Sequence, residues 1–245
     1  MKVSSVLCTY GRFDCVERSI GMFLGQDYEG PTELVIFNTA PVPLELSPEL
    51  KAQGNIINVH APTNAEGNPW TSLGEVRNAA LDHATGDLYS CWDDDDLFLP
   101  FHLTQSVRHW LLVKAVAWKP EFSLFSNDGG KTFSLAGNSM EASIIARLDF
   151  VKEHGFSTKQ SGGEHVQGGW LDIARAKREL LIENVRPSYG YVWGDGLHKT
   201  SGAIDNPNNF ENHQAASQDF GEGLTLDPWK PEMLEWKFKA AYEFK

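Results

Sequence analysis

The stretch SCWDDDDLFLP, residues 90–100, decides how the rest of the chain is read. Asp93, Asp94, Asp95 and Asp96 stand between apolar residues, whereas an ordinary charge run lies in a solvated tail or loop. GDLYSCW before them reads as a short buried strand, and LFLPFHL after them returns at once to the core. Carboxylates crowded at the end of an interior strand repel one another and lose hydration, so the pattern demands a compensating cation. A hard divalent ion with oxygen ligands, Mg²⁺ or Mn²⁺, meets that demand and keeps positions open for a substrate's phosphates.

Outward from this run, strand-like and helical segments alternate, which predicts an α/β sheet. Residues 3–8 form a first strand, followed by the loop TYGRFD and an amphipathic helix over 15–24. Second and third strands are expected at 33–37 and 55–59. Residues 73–84 have helical spacing, with Leu73, Val76, Ala80 and Leu81 on one side and Gly86 as the stop. The strand at 87–92 then delivers the aspartates at its carboxyl end, where open α/β sheets bind ligands. Further on, 121–126 and 131–136 flank NDGG as a hairpin, 143–146 is a short strand, and 148–154 and 170–178 are helices. Extended segments are expected at 180–183 and 188–192, then a polar loop at 201–223. From Pro231 onward, Leu234, Phe238, Ala241 and Tyr242 recur at helical spacing, which suits a helix packed on the body or on a second subunit.

Composition bounds the reading without naming a reaction. A chain of 245 residues with 41% hydrophobic and 22% charged residues suits one soluble α/β domain. No apolar run approaches the ~20 residues of a membrane span, and MKVSSVLCTYGRFD lacks a secretory apolar region. Cys8, Cys15 and Cys91 are odd in number and form no CxxC pair; they read as reduced thiols of a cytoplasmic protein and argue against zinc. A net charge of −12 speaks against a nucleic-acid scaffold. GGKT at 129–132 misses the first glycine of a phosphate loop, since Phe125 stands there. The aspartate run lacks the central glycine of a calcium-binding EF-hand loop.

The order of TYGR after the first strand, a second strand ending near residue 38, RNAAL, GD and then WDDDD resembles the family 2 glycosyltransferases of GT-A fold. The resemblance covers residues 3–100 well and extends more loosely to about 202. It implies a Rossmann-like nucleotide-diphospho-sugar transferase fold with a mixed central sheet flanked by helices. Residues 1–230 would form the single domain and 231–245 the C-terminal helix. It further implies a nucleotide-diphosphate sugar donor, Mn²⁺ or Mg²⁺, and inversion at the anomeric centre.

Carried over by position, Thr9, Tyr10 and Arg12 would border the nucleotide, and Arg77 would lie near the nucleotide and diphosphate. Asp93 and Asp95 match the two acids of the DxD signature. Asp95 would hold the metal most directly, with Asp93 toward the ribose or the ion. Asp96 would face the acceptor side, and Asp94 is the variable position in the substrate pocket. Asn38, followed by Thr39, stands where the family has a pair of acids that hold the base; an amide both donates and accepts, so base recognition would differ. Glu164 in GGEH is the expected catalytic base, with His165 beside it and Asp172 as a lesser candidate. His198 would complete the metal's coordination, and residues 199–222 would close over the donor. The acceptor is open, a saccharide ranking ahead of DNA or protein given the acidic balance. A metal-dependent nucleotidyl- or phosphotransferase and a non-catalytic nucleotide-sugar-binding protein are the competing readings.

Overall fold

Parallel strands covered on both faces need apolar residues at every position, and VSSVLCT and TELVIFN come close. They form β1 (Val3–Thr9) and β2 (Thr32–Asn38), which are buried along nearly their whole length. The computed structural model describes residues 1–138, 140–159 and 168–193. Glu164, His165, His198, the polar loop at 201–223 and the C-terminal segment 231–245 lie outside the described residues.

β3 (Ile56–His60), β4 (Leu88–Cys91), β6 (Ala117–Pro120), β9 (Ile145–Arg147) and β10 (Leu180–Glu183) complete the central sheet in the order β10-β6-β9-β4-β1-β2-β3. Every strand in it runs parallel except β9, which is antiparallel to both β4 and β6. The sheet is therefore mixed, as expected. A smaller sheet joins β5 (Leu97–Phe98), β11 (Tyr189–Val192), β7 (Phe122–Ser126) and β8 (Ser134–Gly137) in that order. The hairpin around NDGG is present as the β7–β8 pair; its connection is closed by Asp128, whose carboxylate accepts from the Lys131 and Thr132 amides.

Helices α1 (Phe13–Leu24), α2 (Pro48–Ala52), α3 (Leu73–Leu81), α4 (His102–Val113), α5 (Leu148–His154) and α6 (Trp170–Ala176) link the strands. No described helix is long and apolar enough to cross a membrane. Ser72 caps α3 by accepting from the Glu75 amide, while Glu75 accepts from the Thr71 amide, so the helix carrying Arg77 starts at a fixed point. That helix ends at Leu81, five residues before Gly86. Gly86 has another purpose: a β-carbon there would lie 2.7 Å from the Lys2 carbonyl oxygen and 2.9 Å from the Ser4 nitrogen. The glycine lets the backbone leading into β4 pass against β1. Below it, buried Glu33 accepts from Ser4 Oγ at 2.6 Å and pairs with Lys2 at 2.5 Å, which fixes the start of β1 against β2.

Candidate active site

The chain lays β1, β2 and β3 to one side and then returns to place β4 on the other side of β1. Connections diverge at that point, and the carboxyl ends of β1 and β4 are where an open α/β sheet binds its ligand. Thr9 ends the first of these strands, Tyr10 to Arg12 follow it, and Trp92 to Asp96 follow the second. With Val3 opposite Leu88 and Val6 opposite Cys91, the register carries both segments to the same edge.

The loop after β1 turns through Gly11 at φ +73°, where an added β-carbon would also press on Ala40. The turn leaves Tyr10 60% exposed and sends Arg12 back over the acids. Arg12 Nη1 donates to Asp95 Oδ2 at 2.6 Å, and Nη2 pairs with Asp94 Oδ1. Thr9 Oγ1 donates to the other Asp94 oxygen at 2.6 Å. From α1, Arg18 and Ser19 reach the backbone carbonyls of Asp94 and Asp93, both at 3.4 Å. On the far side Arg77, buried on α3, donates to Asp93 Oδ1 at 3.1 Å and to Cys91 Sγ at 2.6 Å. Glu141 lies 3.5 Å from the same guanidinium and also accepts from Tyr89 and Trp170. Asp96 turns the other way, into the smaller sheet, where it accepts from the Tyr189 hydroxyl and the Val192 amide.

Burial raises the Asp94 carboxyl to about 7, the charge of Asp95 adds to that, and Arg12 and Thr9 hold it back. Asp96 is raised well above the usual carboxylate range, first by burial and then by Asp95 and Asp93. Burial opposes the charge of Arg12, but the two carboxylates more than offset it and its pKa rises.

The structure thus gathers Thr9, Arg12, Arg77 and Asp93 to Asp96 in one place. Asn38 ends β2 at the same edge, but its amide closes the following turn, donating to the Val42 carbonyl and accepting from the Ala40 amide. Arg77 is not the surface charge a helix arginine could have been; its partners make it the clamp on Asp93. Asp172 accepts from the Gly168 amide at 3.0 Å in the first turn of α6. Trp170 is fully enclosed in the core, and half-buried Trp70 packs edge-to-face on Phe37. Arg18, Ser19, Glu141 and Tyr189 also belong to the site's framework. Only Arg18 carried a usable signal, a second basic residue on the helix opened by TYGR.

No protein-family model matches the sequence, and no curated protein matches it. Solved structures do match. TarS of S. aureus aligns with a TM-score of 0.60 at 14% identity, covering 78% of this chain and 37% of that one. S. aureus TarS 1–349 in complex with UDP-GlcNAc gives a TM-score of 0.60 at 15% identity, over 81% of this chain and 60% of that one. The mannosyltransferase PcManGT from Pyrobaculum calidifontis, in complex with GDP-Man and Mn²⁺, gives 0.55 at 14% identity over 94% and 67%. The chain therefore spans at most 60% of the length of these TarS chains. At such identities the likeness is one of architecture, and the architecture shared is the GT-A glycosyltransferase fold.

Proposed function

We propose that the chain is a metal-dependent glycosyltransferase that moves a sugar, with inversion, from a nucleotide-diphosphate sugar to an acceptor hydroxyl. One observation carries this reading: Thr9, Arg12 and the acids after β4 converge at the carboxyl ends of β1 and β4, in a fold whose neighbours are solved with UDP-GlcNAc or GDP-Man. A saccharide acceptor suits the acidic chain better than DNA does.

The donor set suits a hard ion such as Mn²⁺ or Mg²⁺. Asp93 and Asp95 offer carboxylate oxygens two positions apart, and the Asp93 side chain is 31% exposed. Among the described residues no three His, Cys, Asp or Glu side chains gather into a ready-made metal cluster. An ion held by Asp93 and Asp95 would draw further oxygens from phosphate and water; His198 is the further ligand proposed. When bound, the ion would supply positive charge against the leaving diphosphate.

The chain's own groups supply the rest. Arg12 carries a planar fork suited to phosphate oxygens, and Tyr10 is exposed where a base could stack. Arg77 and Cys91 hold Asp93, which would face the ribose or the ion. Glu164 takes the acceptor hydroxyl's proton as that oxygen bonds to the anomeric carbon. The carbon–oxygen bond to the diphosphate breaks on the opposite face, and the nucleoside diphosphate departs with the electron pair. A positioned base contributes roughly 10²–10⁴-fold.

A thermal-shift panel of nucleotide sugars with and without Mn²⁺ tests the reading, because a ligand that binds only the folded chain raises Tm. The expected result is a metal-dependent rise with one donor class, followed by release of nucleoside diphosphate and a glycosylated product. Asp95→Asn should abolish transfer with Tm nearly intact. Pyrophosphate release, or a fully active Asp95→Asn enzyme, would refute the assignment.

A further inference from the structure

The donor-side reading leaves a conflict that the geometry makes specific. Arg12 holds Asp94 with one terminal nitrogen and Asp95 with the other, so a single guanidinium bridges the two acids. Asp95 is also the acid assigned to the metal. A guanidinium does not deprotonate in proteins, and a dication arriving on the same carboxylate meets a fixed like charge at close range. The two cations therefore compete for Asp95.

The two ends of the bridge are not equivalent. Asp94 is wholly enclosed and is held a second time by Thr9, so its link to Arg12 is anchored from below. The Arg12 side chain is 18% exposed, and it stands at the head of α1 beside Gly11 without making a side-chain capping bond to the helix. A side chain so placed can release the outer acid, keep the inner one and turn its freed nitrogen outward.

On the strength of the function proposed above, we propose that Arg12 is an exchangeable counter-ion of the site. In the unloaded chain it is shared between Asp94 and Asp95; when metal and donor enter, it yields Asp95 to the ion and gives the freed nitrogen to a phosphate oxygen of the nucleoside diphosphate. The exchange couples the two ligands. Metal alone binds against Arg12, whereas metal with diphosphate gives Arg12 a new anionic partner, so each ligand strengthens the other.

The test measures Mn²⁺ and nucleoside diphosphate affinities directly, by electron paramagnetic resonance and calorimetry, without relying on turnover. Two variants are compared with the parent chain. Arg12→Lys keeps a charge over Asp94 but cannot bridge two carboxylates with a fork, and Arg12→Met removes the competitor altogether. Arg12→Lys covers the case in which Arg12→Met fails to fold with Asp94 buried and unneutralised. The expected pattern is Mn²⁺ alone binding several-fold more tightly in the variants. The diphosphate should bind about ten-fold or more weakly in the presence of Mn²⁺, as for the loss of a charge-assisted hydrogen bond. Mutual strengthening of the two ligands should shrink to the same extent.

Unchanged or weaker Mn²⁺ binding in both variants, with the parent chain still binding metal and nucleotide, would overturn the exchange and leave the proposed function standing. If neither parent nor variants bind Mn²⁺, the metal assignment fails and the exchange fails with it. If only the variants bind Mn²⁺ without nucleotide, the competition is confirmed in its strongest form.

Discussion

Burial pushes the Asp94 carboxyl up to about 7 and Asp96 well above its ordinary range, with Asp95 adding to both. Asp93 and Asp95 face Arg77 and Arg12. The run therefore amounts to fewer than four full charges, and two guanidinium groups already stand beside it. Read from sequence alone it implied four charges and a missing cation, because the partners are remote: Arg12 lies 83 positions from Asp95, Arg77 16 from Asp93 and Tyr189 93 from Asp96. No local pattern announces such pairings. What the residues did reveal was the placement of the acids at a strand's carboxyl end and the presence of Thr9 and Arg12 in the facing loop. Ligand chemistry, and not charge balance, is therefore what favours a metal at this run. A different residue, His102, adds a pH dependence of the opposite sign. His102 is enclosed against Trp92 and Phe98, and burial pushes its pKa down to about 3. An unfolded imidazole titrates near 6.5. The unfolded chain thus binds a proton that the folded chain refuses, so this stability is present above pH 6.5 and is lost as pH falls toward 3. Between pH 6.5 and 5 the loss is about 2 kcal/mol. Denaturant titrations at pH 6.5 and pH 5 should show the parent chain losing about 2 kcal/mol more stability than His102→Asn, since the raised carboxyls of Asp94 and Asp96 act equally in both chains; equal changes in the two chains would refute the claim.

Among the elements, α1, α3 and the first four strands were legible because their apolar residues repeat at the period of the structure they form. α4 was not foreseen. His102 and Ser106 fill half of its buried face, and polar residues at core positions erase the periodic signal. β6 was missed for a related reason: AWKP places a buried lysine and a proline in a four-residue strand, neither of which reads as sheet. Lys119 survives there by donating to the Asn138 carbonyl, with its pKa pushed down to about 8 by burial and by Arg175. Gly86 was legible as a special position but for another reason than the one it serves. Its neighbours Lys2 O and Ser4 N are backbone atoms of the strand entrance and cannot give way cheaply. Gly86→Ala should cost about 1–3 kcal/mol by overpacking, lowering Tm by roughly 3–10 °C. Gly137→Ala, where an added β-carbon meets nothing within 4 Å, serves as the control. Equal melting temperatures for the two variants would count against the close-approach account.

At the scale of the whole molecule, the two sheets share one core that runs from Val3 and Leu34 to Phe98, Leu124 and Tyr189. Trp92 at the end of β4 stacks on Phe98 of β5 with ring centres 3.9 Å apart, which ties the sheets at the aspartates. Sequence reading found the alternation of strands and helices, the β7–β8 hairpin and the extended segment of β11, but not their assembly into a second sheet, because β5 is only two residues long and its partner β11 lies far along the chain. Unfolding should accordingly be a single event, with tryptophan fluorescence and far-UV circular dichroism changing together. Phe98→Ala should lower Tm by on the order of 10 °C in both signals at once. Two separated transitions would mean that the sheets fold independently. The same tie has a consequence for how the acids are specified. Only residues 92–96 span from the last position of β4 to the first of β5, so the aspartates form a short turn moored at both ends. Adding or removing one residue there would slide Asp96 off the Val192 amide and rotate Asp95 away from Arg12, even with every acid retained. Span, as much as chemistry, is written into this run.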